Sequence, residues 1–245
     1  TYSFYDVWAD VYRIPYEVQA LDDDFNIRAA DYYRENGGVV IANPNAPTGV
    51  LQSADFIEDI VKHNRDSVVI VDEAYIDFGG ETALPLIDKY DNLVVTRTMS
   101  KSRALAGMRI GYAFGSEKLI KYLNDVKYSV NSYTMNTPAL LAGKAAIEDD
   151  AYFRELTAKV IATREWSKKE LNNLGFSFND SMSNFIFAKP PENMRAAYIF
   201  EKLKENDIFV RYFNKKRISD YLRISIGTED EMKILIKTLK GILNA

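Results

Sequence analysis

Leu93-Val94-Val95-Thr96-Arg97-Thr98-Met99-Ser100-Lys101-Ser102-Arg103 opens on three apolar residues, turns polar at once, and carries a lysine between two serines. A short apolar run bounded by polar turn residues predicts a strand covered on both faces, as in a parallel sheet. Two upstream stretches repeat the plan. Val39-Val40-Ile41-Ala42 runs into Asn43-Pro44-Asn45-Ala46-Pro47-Thr48-Gly49, and Val68-Val69-Ile70-Val71 runs into Asp72-Glu73-Ala74-Tyr75. Between them Ser53 is placed to cap a helix with Phe56, Ile57, Ile60 and Val61 on one face. Strands alternating with helices predict an α/β fold whose mostly parallel sheet is flanked by helices. Ligands of such sheets sit beyond the carboxyl ends of the strands. All three polar clusters fall there.

The pattern changes beyond Pro138. Residues 151–174 read as one long helix with Phe153, Leu156, Val160, Ile161 and Leu171 among its apolar positions, ended by Gly175. Short strand-like runs follow at Ser183–Ala188, Ile208–Phe213 and Tyr221–Ile226, with a helix near 194–206. Thr228 with Glu231 three residues on predicts a capping box, opening a helix striped by Met232, Leu235, Ile236, Leu239 and Leu243. The expected organisation is a large domain over residues 1–150 and a smaller α+β domain over 151–245.

Composition narrows the function. The chain has 245 residues, enough for one large domain or two modest ones. Its formal charge of −4, without a basic stripe, argues against nucleic acid as a partner. There is no cysteine, hence no disulfide or thiolate metal site, and one histidine, His63, is expected on a helix surface. No metal site is expected. No apolar run is long enough for a membrane span and no signal segment is visible, so no membrane association and a cytoplasmic location are expected.

Taken singly, the strand-end residues are ambiguous. Asp72 follows four buried-type residues and needs a cation or donor there, yet it is equally a cap or turn former. A lone lysine such as Lys101 is ordinarily a solvated charge. Gly107 and Arg109 can cup an anion, but they also make a plain turn. Together they are specific. Asn-x-Pro-Thr-Gly, Asp-x-x-Tyr, Ser-Lys and then Arg109 follow one another at successive strand ends. Pyridoxal phosphate needs an amine, a carboxylate for its ring nitrogen, donors to its phenolic oxygen, and cations for its phosphate.

The segment Thr98–Gly111, with Asn43–Gly49 and Val71–Phe78, resembles the motifs of fold-type I aminotransferases, histidinol-phosphate aminotransferases in particular. The similarity continues to Tyr221-Leu222-Arg223-Ile224-Ser225-Ile226-Gly227-Thr228. The resemblance implies a pyridoxal phosphate enzyme that transfers an amino group between small molecules, glutamate/2-oxoglutarate and histidinol phosphate, within histidine biosynthesis. It also implies a homodimer. Residue by residue, it makes Lys101 the catalytic lysine that carries the cofactor and moves the substrate proton. Asp72 would meet the ring nitrogen and Tyr75 the phenolic oxygen. Ser100 and Arg109 would bind the cofactor phosphate, and Tyr2 would stack on the ring. Arg223, Arg211 and Asn184 would meet the substrate. A substrate phosphate in place of a carboxylate suits two guanidinium groups better than one. For Arg211 a solvated strand-end charge remains the competing reading.

Two departures from the family pattern stand out. The asparagine usually placed directly before Pro-Thr-Gly is Ala46 here; either Asn45, one residue earlier, takes over its contact with the phenolic oxygen, which is the favoured expectation, or Tyr75 carries that contact alone. The family's segment before the Tyr2 stretch is not in this sequence, so a fragment with weak cofactor binding is expected. Three alternatives stay open: an aromatic or broad-specificity aminotransferase, a decarboxylase of phosphorylated amino acids, and a non-catalytic effector-binding module of a transcription regulator.

Overall fold

A computed structural model describes residues 1–244. In chain order the elements are α1 (Phe4–Tyr12), β1 (Gly38–Ala42), α2 (Ala54–His63), β2 (Val68–Asp72), β3 (Leu93–Thr98), β4 (Gly111–Gly115), α3 (Glu117–Val130), α4 (Thr137–Glu148), α5 (Asp150–Asn173), β5 (Ser177–Phe178), β6 (Phe185–Lys189), α6 (Ala196–Glu205), β7 (Arg211–Tyr212), β8 (Leu222–Ser225) and α7 (Glu229–Leu243).

The first sheet has the order β1-β2-β3-β4. β1, β2 and β3 run parallel, as their β-branched runs predict. Ile57, Ile60 and Val61 of α2 lie fully buried in one core with Val39, Ile41, Val69, Val71, Leu93 and Val95. Ser53 caps α2 by accepting from the Phe56 amide at 3.2 Å.

β4 is an addition to the sequence reading. It pairs antiparallel with β3, Thr98 opposite Gly111. The segment between them is therefore a closed loop at the carboxyl end of β3. The Met99 amide donates to the Ile110 carbonyl at 3.1 Å, and the Thr98 hydroxyl donates to the same oxygen at 3.2 Å. Ser100, Lys101 and Arg109 all ride on this one loop.

The second sheet is antiparallel throughout, in the order β5-β6-β8-β7. Its core joins Ile186, Leu222 and Ile224 to Leu171 of α5, Ile199 and Leu203 of α6, and Leu235 and Leu239 of α7. The capping box of α7 is present: the Glu231 amide donates to the Thr228 hydroxyl at 3.3 Å and the Thr228 amide to the Glu231 carboxylate at 2.7 Å. Gly175, at φ +80°, ends α5 in a conformation that L side chains avoid.

α5 departs from its predicted amphipathic plan. Phe153, Leu156, Val160 and Ile161 are only half-buried, whereas Thr157, Arg164, Ser167 and Lys168 are buried. Each buried polar group has partners, as burial demands. Arg164 donates to the carbonyls of Phe78 (2.7 Å) and Ser183 (2.9 Å), pinning the loop after β2 to the loop before β6. A second tie joins the two sheets where Val50, Phe25 and Phe187 pack together. Gly49 makes the third. It has φ +77°, and a Cβ there would fall 2.3 Å from the Ser181 hydroxyl oxygen, so only glycine fits the approach.

Candidate active site

The carboxyl end of β2 supplies two groups. Asp72 is the last residue of the strand, and its Oδ1 accepts from the Ala74 amide at 3.1 Å, which sets the turn. Its Oδ2 accepts from the Tyr5 hydroxyl at 2.6 Å. Burial raises the pKa of the Tyr5 phenol above its ordinary value, and the Asp72 charge adds to the rise. Tyr5 therefore stays a neutral donor to Asp72.

Tyr75 faces the second sheet. Its ring meets the Phe185 ring edge-on at 5.1 Å, and the Lys101 amine lies 5.4 Å from its centre. The Arg223 guanidinium lies 5.2 Å from the centre of the Phe185 ring. Lys101, Tyr75, Phe185 and Arg223 thus form a chain of contacts that joins both sheets.

Arg223 carries the clearest sign of a missing partner. Its Nε is buried and has no hydrogen-bond partner. Burial pushes the guanidinium pKa down from its ordinary value; Tyr75 works against that shift and the Arg211 charge adds to it. The two arginines are opposite each other in the β7–β8 ladder, and both flank the Phe213 ring, at 5.4 and 5.8 Å. Like charges opposed in a ladder repel. An anion between them relieves the repulsion and satisfies the buried donor.

The remaining expected residues take these positions. Ser100 is half-buried, with its amide donating to Thr98 Oγ1 at 3.0 Å. Arg109 is exposed at φ 56°, with Nη1 on the Ala106 carbonyl at 3.0 Å. Asn184 is half-buried at the start of β6, and its carbonyl accepts from the Ile226 amide at 2.9 Å. Arg211 is exposed. Tyr2 is exposed, stacked on Phe4 at 5.6 Å and edge-on to Tyr5 at 5.7 Å, which makes it a neighbour of Asp72 through Tyr5. Asn45 is buried, and its side-chain amide donates to Thr48 Oγ1 at 2.9 Å. That bond braces its own turn and uses one of the two hydrogens of the amide nitrogen.

Several residues at the site were not singled out by the sequence. Tyr5 and Phe185 contact the expected groups directly. Beneath them, Glu73 is fully buried and receives Arg97 Nε at 3.0 Å, Arg97 Nη2 at 2.8 Å and the Ala83 amide at 2.6 Å. The available signal was a carboxylate and a guanidinium at the ends of successive strands, which burial forces to pair.

The donor set fits pyridoxal phosphate. An amine stands beside a phenol, a carboxylate ends the neighbouring strand with one oxygen on an exchangeable hydroxyl, and a half-buried guanidinium has a buried Nε without an acceptor. His63 lies apart, stacked on Tyr33 at 3.8 Å. Among the described residues there is no cluster of metal ligands, and no helix is long and apolar enough to cross a membrane.

Comparison with known proteins gives a consistent result. The model of the family "Aminotransferase class I and II" matches residues 1–239. Histidinol-phosphate aminotransferase of Lactococcus lactis subsp. cremoris is 51% identical over 243 residues, covering 99% of this chain and 68% of that protein. The Clostridium botulinum enzyme of the same name is 51% identical over 244 residues, covering 100% of this chain and 69% of that protein. Among solved structures, histidinol-phosphate aminotransferase from Clostridium acetobutylicum superposes with a TM-score of 0.90 at 25% identity, covering 99% of this chain and 75% of that one. The Sinorhizobium meliloti enzyme, solved in complex with pyridoxal-5'-phosphate, gives 0.75 at 26% identity, covering 85% of this chain and 57% of that one.

Proposed function

The chain belongs to the class I and II aminotransferases, pyridoxal phosphate enzymes, and from that premise we propose that it exchanges an amino group between histidinol phosphate and 2-oxoglutarate. The observation that carries the substrate is the opposed pair Arg211 and Arg223, with the buried Arg223 Nε lacking an acceptor. A doubly charged phosphate uses two guanidinium groups where a carboxylate needs one. The relatives at 51% identity carry the same substrate in their names.

The roles follow from what each side chain offers. The bound cofactor supplies an electron sink for the bond broken at the substrate carbon. Lys101 holds the cofactor and, as a free amine, moves the proton to and from that carbon. Asp72 keeps the ring nitrogen protonated, with its charge held in place by the Ala74 amide and the Tyr5 hydroxyl. Tyr75 would donate to the phenolic oxygen, and Asn45 would join it with the second hydrogen of the amide whose first is on Thr48. Ser100 and Arg109 meet the cofactor phosphate, and Tyr2 covers the ring face. Arg223 and Arg211 grip the substrate phosphate, with Asn184 beside them. Tyr75 and Phe185 pack edge to face between the motif loops of the two sheets.

In this reading residues 1–150 bind cofactor and residues 151–245 carry the substrate arginines. The protein works in the cytoplasm as a homodimer, without nucleic-acid or membrane partners. The exposed Trp8, Val11, Tyr122 and Val126 on α1 and α3 suit burial between copies.

A substrate panel tests the proposal. Histidinol phosphate with 2-oxoglutarate should give the highest kcat/KM, glutamate as product and no carbon dioxide. Preference for tyrosine or phenylalanine, or release of carbon dioxide from a phosphorylated amino acid, would overturn it.

A further inference from the structure

A hydrogen-bonded chain of polar and charged groups, buried at both ends and partly exposed at Asp77 and Arg97, runs from one motif to the other. Ser102, 3% exposed, donates its hydroxyl hydrogen to Asp77 Oδ2 at 2.5 Å. Asp77 Oδ1 lies 3.7 Å from Arg97 Nη1. Arg97 donates Nε and Nη2 to Glu73 Oε2 at 3.0 and 2.8 Å. The Thr82 hydroxyl and the Ala83 amide close the Glu73 end at 2.7 and 2.6 Å. The first member is bonded through the backbone to Lys101 and the last to Asp72.

Stability alone does not call for this arrangement. An apolar cluster of the same volume usually stabilises as well as a buried ion pair, or better. A hydrogen-bonded charge network instead fixes one geometry, because every displaced member leaves an unpaired buried group. Lys101 needs such fixing. It is exposed, on a flexible four-carbon stem, in a loop that is tied to β4 only at its mouth, Met99 to Ile110. Met99 and Ile110 bury the two ends of the loop, and Ser102 is the buried residue next to Lys101 in the chain.

We propose that Ser102, Asp77, Arg97 and Glu73 form a positioning network that sets the Lys101 amine in register with the Asp72 carboxylate. None of the four touches the reacting atoms. They act through the two turns they hold. The proposal rests on the reading of Lys101 and Asp72 given above.

The test uses Ser102→Ala in the full-length enzyme, since alanine fills most of the serine volume and removes only the hydroxyl. With histidinol phosphate, kcat should fall roughly tenfold while KM stays within about twofold. The absorption band of newly bound cofactor should also appear more slowly after mixing, with the melting temperature near the wild-type value. Ser102→Thr should restore both rates. Wild-type kcat and cofactor uptake in Ser102→Ala would overturn the proposal. So would a loss shared by kcat and KM that tracks a lowered melting temperature. Should Ser102→Ala fail to fold, Asp77→Asn carries the same test: the same kcat-only loss supports the network, and wild-type behaviour overturns it. Borohydride labelling of wild-type Lys101 separates the two readings. Its absence sinks the assignment of Lys101 itself, whereas its presence with an unaffected Ser102→Ala sinks only the network.

Discussion

Two clusters of charge lie on either side of the Tyr75–Phe185 contact, and they are built on opposite principles. Below the first sheet, Glu73 and Arg97 are buried with their bonds made, the carboxylate fully enclosed and the guanidinium 16% exposed. On the second sheet, Arg223 is half-buried, with its buried Nε donor unmet and a like charge across the ladder. The satisfied cluster costs nothing further in the protein alone and holds two turns still. The unsatisfied one holds a standing electrostatic cost that only an anion removes. The contrast separates positioning from binding without reference to any relative.

Three substitutions can break that contrast. The largest effect is expected from Glu73→Ala, which leaves Arg97 buried beside a void. Unfolding in urea should show a loss of about 3 kcal/mol. A loss well under 1 kcal/mol would mean that the pair is solvated. Arg223→Lys should spare the fold, because it removes a buried Nε that has no acceptor. It should weaken substrate binding by about 2 kcal/mol, near 30-fold in KM for the phosphorylated substrate. An unchanged KM, or a large fall in stability, would show that Arg223 is structural. Arg211, being exposed, should matter less than Arg223 in the same assay.

The smallest effect concerns Tyr5. Its folded pKa is raised, so its contribution to stability is fully present below the ordinary tyrosine value, about 10. It is lost as pH rises beyond that value, where the unfolded phenol ionises and the folded one resists. Tyr5→Phe should cost about 1 kcal/mol near neutrality. It should also flatten the alkaline fall in stability, followed by thermal melts from pH 8 to 11. An identical alkaline profile in the variant would show that the Asp72 contact contributes nothing.

Much of this architecture is legible in the sequence. The strands β1, β2 and β3 are continuous apolar runs, and that pattern survives because both their faces are covered. Helix α7 announces itself through Thr228, Glu231 and its stripe. Other elements leave no comparable mark. Helix α1 buries no residue, although Phe4, Val7, Trp8 and Val11 recur at helical spacing and could have marked it. β5 and β7 are two residues each, too short for alternation to show. β4 begins and ends in glycine, which weakens a strand pattern. In α5 the buried face is polar, because its partners are carbonyls and carboxylates from distant loops.

The site divides the same way. Asp72, Tyr75, Lys101 and Arg109 stand out in the sequence because a pyridoxal phosphate site would call for these residue types in a fixed order at strand ends. The Tyr5 bond to Asp72 joins residues 67 apart, and the Arg97 bond to Glu73 joins residues 24 apart. Such pairs depend on which segments become neighbours in space. A local pattern does not carry that information, although the need of a buried Glu73 for a cation could have prompted the search.

The account stands or falls on Lys101. The direct measurement is borohydride reduction of the full-length enzyme with pyridoxal phosphate, followed by peptide mapping. The account predicts a single pyridoxyl group, on the peptide carrying Ser100-Lys101-Ser102. A stable label on any other lysine, or none, would contradict it.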